Sequence, residues 1–256
     1  MLLWMAGIVA VAIGAAGPAL AHEVPLYAAA GVKAPTLEIM QGLHAGDGHS
    51  VAAVFDTAGA AEAQFIANGK RGLLITTQVR IQQSKQLTGG VTGRVGDTLA
   101  GVAVSSAARA GLPASIDTSD KLKAALQAAK RIAYSDPARG ATVGVHFMQV
   151  IDKLGVRDEV LAKSIKARDG VETMKLVMAG DADLGITQLS EIVQADKTTL
   201  LGAFPVELEL ATRYDFWYAA NLPNGETMDP IVEALAKAFT SDAGKARLRH
   251  HGLRVP

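Results

Sequence analysis

The chain has 256 residues, of which 49% are hydrophobic and 20% are charged. Its 25 basic and 25 acidic residues cancel, so the composition gives no support to nucleic-acid binding or to a polybasic membrane anchor. The sequence has no cysteine, which excludes disulfides, a thiol nucleophile and a cysteine-ligated metal.

The first 21 residues predict a cleaved secretory signal. They are apolar and end in the tripeptide Ala-Leu-Ala, the small-x-small pattern of a cleavage site, although no basic residue precedes them. A membrane anchor is the alternative, but two glycines and a proline between residues 14 and 18 interrupt the run before it reaches the ~20 residues that a span requires. We therefore expect cleavage near Ala21 and a mature protein in the periplasm.

Strands and helices alternate along the rest of the chain. Apolar runs predict buried strands at residues 24–30, 51–55, 132–135 and 182–188. Helical spacing of apolar residues predicts helices after Pro35, over 57–69, from a cap at Thr142 to Gly155, after Asp169, after Gln188, and on either side of Ser241. This alternation is typical of an α/β protein.

Two turn-rich or irregular stretches, 105–120 and 204–210, are the predicted crossings between two lobes. The first lobe then comprises residues 22–104 and 211–256, and the second lobe comprises residues 105–210.

Four turns of small residues lie at the predicted strand-to-helix junctions: 30–32, 57–59, 142–144 and 170–171. In open α/β sheets such junctions form the ligand crevice, and helix N-termini there bind anions through unpaired backbone N–H groups. The sequence therefore predicts a cleft for a small anionic ligand.

The predicted ligand-binding residues lie in and beside these turns. They are Gly31, Lys33, Thr57, Ala58, Arg139, Thr142, Val143, Arg168, Val171 and Gln188. Their three cations favour a carboxylate, which arginine grips through two parallel hydrogen bonds, whereas backbone and hydroxyl groups alone can hold a tetrahedral oxyanion. The alternative for each cation is a solvated surface charge. Asp136 is predicted to cap its own turn, because a carboxylate directed at an anion would repel it.

No metal or cofactor is expected. His44 and His49 lie close together, but the sequence supplies no partner to complete a metal site. His146 and Glu191 are candidate bases; their alternatives are a packed or exposed histidine and a carboxylate that stabilises a helix N-terminus.

Four segments resemble, in order and spacing, the periplasmic molybdate-binding proteins of ABC transporters and the wider type II periplasmic binding proteins: YAAAGVKAPTLEI, FDTAGAAEAQFIANG, AYSDPARGATVGVHF and GDADLGITQLSEI. The resemblance implies a two-lobed α/β fold with the ligand cleft between the lobes, and a membrane ABC permease as partner. Relatives that bind molybdate commonly place Ser in the first two turns and Tyr after the LGI strand. This chain has Ala30-Gly31, Thr57-Ala58 and Thr187-Gln188 at those places.

The resulting prediction is a monomeric, exported solute-binding protein whose ligand is an organic di- or tricarboxylate in preference to a molybdate-like oxyanion. A binding protein that serves a sensor is another possibility. Aconitate isomerase is also similar to this branch of the family, so the alternative in a different class is a cofactor-free isomerase acting on aconitate.

Overall fold

A computed structural model describes residues 23–43, 50–98, 102–107, 112–222, 225–226 and 228–255. The predicted signal segment and the pair His44 and His49 lie outside the described residues.

The described chain forms eleven strands and ten α-helices, numbered here in chain order. Strands β1 to β11 are Glu23–Ala29, Ser50–Asp56, Leu73–Thr77, Gly90–Thr98, Val102–Ser106, Ile132–Ser135, Ser164–Ala167, Leu184–Gln188, Leu200–Ala203, Arg213–Ala219 and Leu253–Arg254. Helices α1 to α10 are Lys33–Gln41, Ala58–Ala67, Gln78–Gln83, Ser119–Ala128, Thr142–Lys153, Arg157–Ala162, Gly170–Ala179, Leu189–Asp196, Pro230–Thr240 and Asp242–His250. Single 3-10 turns occupy Ala30–Val32, Pro137–Arg139, Lys197–Thr199 and Val206–Leu208.

The strands form two sheets. The first has the order β11-β4-β10-β3-β1-β2, with β1 parallel to β2 and β3, and with β10 antiparallel to β3 and β4. The second has the order β7-β6-β8-β5-β9, with β6 parallel to β7 and β8, and with β5 antiparallel to β8 and β9. We call each sheet with its flanking helices a lobe.

The chain passes from the first sheet to the second between Thr98 and Val102, and it returns between Ala203 and Arg213. The second passage contains the crossing predicted at 204–210, whereas the crossing predicted at 105–120 begins within β5, after the chain has already entered the second sheet. The lobe bounds drawn there, 22–104 with 211–256 and 105–210, remain a prediction of where the chain divides.

Each lobe has its own apolar core. In the second lobe Tyr134 and Phe147 are fully buried, with ring centroids 5.2 Å apart, where α5 covers β6. In the first lobe, Phe65 of α2 packs edge-on against Trp217 of β10 at 5.6 Å. These cores hold the carboxyl ends of the parallel strands, and the helices that follow them, in fixed positions.

Among the described residues, no helix has both the length and the apolar character needed to cross a bilayer.

Polar side chains cap several helix starts, including those predicted after Asp169 and at Ser241. Thr57 accepts a hydrogen bond from the N–H of Ala60 at 3.2 Å, and Asp169 accepts one from Glu172 at 2.8 Å. Ser241 caps α10, which confirms the predicted break between the two C-terminal helices. The cap predicted at Thr142 is wrong by one residue, because Ala141 has the extended cap geometry and Thr142 is already helical.

Candidate functional site

The strand-to-helix turns of both lobes meet at a small cavity, which we call the cleft. Its volume is about 30 Å³, roughly the space of two water molecules at ~10–15 Å³ each. Its wall consists of Ala29, Ala30, Gly31, Asp56, Thr57, Ala58, Ser135, Ala141, Thr142, Val143, Asp169, Gly170, Gln188, Glu191 and Tyr214.

In the first lobe, the turn after β1 presents backbone to the cleft. A methyl group at Gly31 would collide with the Tyr214 hydroxyl and would lie 3.5 Å from Ser190 Oγ. Ser190 Oγ is itself buried without a hydrogen-bond partner in the described structure. Glycine at this position therefore lets the backbone and the two hydroxyl groups approach closely.

The turn after β2 reaches across to the second lobe. The Thr57 hydroxyl donates to the carbonyl of Arg139, and the N–H of Gly59 donates to the carbonyl of Gly140 at 3.3 Å. Thr57 and Ala58 both line the cleft. Because the Thr57 hydroxyl already donates its proton to the Arg139 carbonyl, it can act towards a ligand only as a hydrogen-bond acceptor.

In the second lobe, the turn after β6 is shaped by Asp136, whose carboxylate accepts the N–H of Ala138 at 3.0 Å. This contact agrees with the predicted capping role. The turn leads into α5, whose first residues, Thr142 and Val143, line the cleft. Gly144 points away from it, because an added methyl group would meet the backbone of Ser135 and Pro137.

The three predicted cations do not lie on the cleft wall. Arg139 Nη2 binds both oxygens of Asp56, at 3.0 and 2.8 Å, and so links the two lobes. Arg168 is 60% exposed, and its Nε lies 3.2 Å from Asp169. Lys33 Nζ lies 5.7 Å from the centre of the Phe55 ring. Lys33 and Val171 instead line a neighbouring pocket with an apolar wall.

The end of β8 supplies two buried polar residues to the cleft. Gln188 donates its side-chain amide to Thr212 at 2.7 Å. Glu191, 6% exposed, accepts hydrogen bonds from the Thr187 hydroxyl and from the N–H of Gln188 at 3.1 Å. Burial raises the pKa of Glu191 to about 7, and the negative charge of Asp169 adds to this, although the two hydrogen bonds oppose it.

Sequence reasoning missed Tyr214 and the cleft positions of Asp56 and Asp169. Tyr214 is buried on β10, and burial together with the charge of Glu191 raises the pKa of its phenol above the ordinary value. The pairing of β10 with β3 places Tyr214 beside Gly31, and this long-range contact has no local signal in the sequence.

A second interlobe bridge lies on the other side of Gly31. Gln194 of α8 accepts the N–H of Ala34 at 3.0 Å and donates to the carbonyl of Gly31 at 3.4 Å. Together with the pair between Asp56 and Arg139, it links the two lobes next to the cleft.

The three histidines that the structure describes, His146, His250 and His251, lie outside the cleft wall. His146 is within hydrogen-bonding distance, 2.7 Å, of the carbonyl of Leu208, and His251 lies 3.0 Å from Glu38. No group of three His, Cys, Asp or Glu that could hold a metal occurs in the described part of the chain.

Comparison with known proteins identifies relatives of the whole described chain. The model of the family described as bacterial extracellular solute-binding protein matches residues 24–254. A search of curated proteins returns no match.

Solved structures show the same fold. The periplasmic molybdate-binding protein of Azotobacter vinelandii is 17% identical with a TM-score of 0.72, over 91% of this chain and 99% of that one. Peb3 from Campylobacter jejuni is 14% identical with a TM-score of 0.61, over 91% and 100% of the two chains. The structure of PEB3 bound to L-phospholactate is 14% identical with a TM-score of 0.63, over 91% of this chain and 100% of that one. The predicted resemblance and the two-lobed α/β fold are confirmed.

Proposed function

Because this chain belongs to the family of bacterial extracellular solute-binding proteins, we propose that it captures a small tetrahedral oxyanion of the molybdate type in the cleft and delivers it to a membrane ABC permease. Its lobes would close around the ligand by a hinge motion at the two interlobe passages. Export, with removal of residues 1–21, is part of the same proposal.

One observation carries the choice of an oxyanion. The helical segment that starts at Ala30 and helix α5 each begin without a side-chain cap, and both starts lie on the cleft wall, one from each lobe. By contrast, α2 and α7 are capped by Thr57 and Asp169. Uncapped first-turn N–H groups are donors that an oxyanion can bind without a positively charged side chain.

The same geometry speaks against the organic acid preferred from the sequence. A di- or tricarboxylate needs several cationic partners, and the described cleft wall carries no Lys, Arg or His side chain. Lys33 lies over Phe55, outside the cleft wall, and the guanidinium groups of Arg139 and Arg168 are already paired with the wall carboxylates of Asp56 and Asp169. A tetrahedral oxyanion can be held by backbone N–H groups and needs no cationic side chain on the wall.

The test is a thermal-shift and calorimetric screen of the mature protein with molybdate, tungstate, sulfate and phosphate against citrate and cis-aconitate. A ligand at a hundred times its dissociation constant stabilises the fold by about 2.7 kcal/mol. We expect stabilisation by at least one tetrahedral oxyanion. Stabilisation by the organic acids alone would overturn the choice of ligand, and stabilisation by no compound would overturn the anion proposal.

The buried carboxyl group of Glu191 is the feature that favours the alternative function, an aconitate isomerase, because proton transfer needs a base near the acidic C–H. Incubation with cis- or trans-aconitate, followed by chromatography of the acids, tests it. Interconversion of the two isomers would make the protein an enzyme, and unchanged substrate would exclude this activity.

A further inference from the structure

The cleft wall carries three carboxyl groups, which is unexpected for an anion site. They belong to Asp56, Asp169 and Glu191, and no Lys, Arg or His side chain is part of the described wall. Any anion that enters must therefore come close to these groups, and their protonation and pairing decide whether it is attracted or repelled.

Two of the three carboxylates are neutralised. Asp56 is paired with Arg139 at 2.8 Å and accepts the N–H of Thr57 at 2.7 Å. Asp169 is paired with Arg168 at 3.2 Å, and it caps α7. Both of these side chains therefore face charged or backbone N–H donors.

Glu191 differs because its hydrogen-bond donors, the Thr187 hydroxyl and the N–H of Gln188, are neutral. Its carboxyl group lies directly over Gly170, where a methyl group would collide with it. Of the titratable groups around it, Asp169 and Tyr214 share the cleft, Asp56 lies on the opposite lobe, and Lys33 and Lys175 line the adjoining pocket.

From this arrangement we infer that Glu191 contacts the bound oxyanion and takes up one proton when a fully deprotonated oxyanion binds. This rests on the proposed function. A protonated carboxyl group donates a hydrogen bond to the anion, whereas a carboxylate at the same place can only accept and would repel it. Burial, which raises the pKa of Glu191 to about 7, makes the proton available near neutral pH.

The experiment is calorimetric titration with molybdate and with sulfate between pH 6 and pH 9, in pairs of buffers that differ in ionisation enthalpy. Neither anion changes its own protonation over this range at low concentration. We expect the wild-type affinity to fall towards tenfold per pH unit above pH 7.5, with uptake approaching one proton per anion. Glu191→Gln, which stays neutral and keeps a donor, should vary less than twofold over the same range.

A matched control is Glu233→Gln, which removes a half-exposed carboxylate far from the cleft and should keep the wild-type pH dependence. Binding by the wild type without proton uptake at pH 8 would overturn the inference, whatever the variant does, so the test stands even if Glu191→Gln fails to fold. Proton uptake that persists in Glu191→Gln would also overturn it. If no oxyanion binds at any pH, the proposed function itself fails.

Discussion

Replacement of Glu191 by Gln should stabilise the folded protein at neutral and alkaline pH and leave it almost unchanged in acid. The amide has the size of the carboxyl group, and its oxygen can accept the same bonds from Thr187 and Gln188. What the substitution removes is ionisation, which burial opposes in the folded state but not in the unfolded chain.

The magnitude follows from the pKa of Glu191, which burial raises from 4.5 to about 7. Below pH 4.5 the group is protonated in both states and has no effect on stability. Between pH 4.5 and pH 7 the unfolded chain ionises first, so the folded state loses stability as the pH rises. At 1.36 kcal/mol per pKa unit, the full loss is about 3 kcal/mol and is complete above pH 7.

The measurement is urea unfolding of the wild type and the variant at pH 4.5, 6, 7 and 8, followed by circular dichroism in buffers free of sulfate and phosphate. The difference in unfolding free energy should grow with pH and reach about 3 kcal/mol in favour of the variant. Glu233→Gln serves as the exposed control and should follow the wild type. If wild type and Glu191→Gln show parallel pH dependences, Glu191 does not take up a proton on folding.

Three further substitutions test the cleft and the contact between the lobes. Gly31→Ala places a methyl group on the cleft wall and should weaken oxyanion binding at least tenfold in calorimetry. The circular dichroism spectrum should stay that of the wild type, and an unchanged affinity would mean that the ligand binds elsewhere. Arg139→Ala removes the cationic partner of Asp56 beside the cleft, so oxyanion affinity should fall several-fold and the dissociation rate measured by stopped flow should rise. The control Arg157→Ala removes an exposed ion pair and should change neither quantity. Thr57→Ala removes the cap of α2 and should lower the unfolding free energy by about 1 kcal/mol, and Thr57→Ser should restore most of it.

The small-residue turns were the part of the site that the sequence could predict. Gly31, Thr57, Ala58, Thr142 and Val143 all line the cleft. Their positions follow from a local rule, because a turn that ends a parallel strand and begins a helix must lie at the carboxyl edge of its sheet. The limits of the four strands predicted at 24–30, 51–55, 132–135 and 182–188 agree with the structure to within two residues for the same reason, since apolar runs are local signals.

The directions of the charged side chains were not predictable. Arg139 lies beside the right turn, but it points to Asp56, which is 83 residues earlier in the chain and in the other lobe. Tyr214 enters the cleft on a strand whose register is set by its pairing with β3. Such partners are fixed by how the two lobes are brought together, which no local pattern in the sequence records.

The topology of the first sheet also determines when each lobe can be completed during synthesis. Strand β10, Arg213–Ala219, lies between β3 and β4, so the first sheet stays divided until that part of the chain has been made. All five strands of the second sheet, by contrast, fall within a continuous stretch from Val102 to Ala203. The second lobe can therefore fold while the first is still incomplete, and the facing edges of β3 and β4 keep unpaired backbone groups until β10 inserts between them.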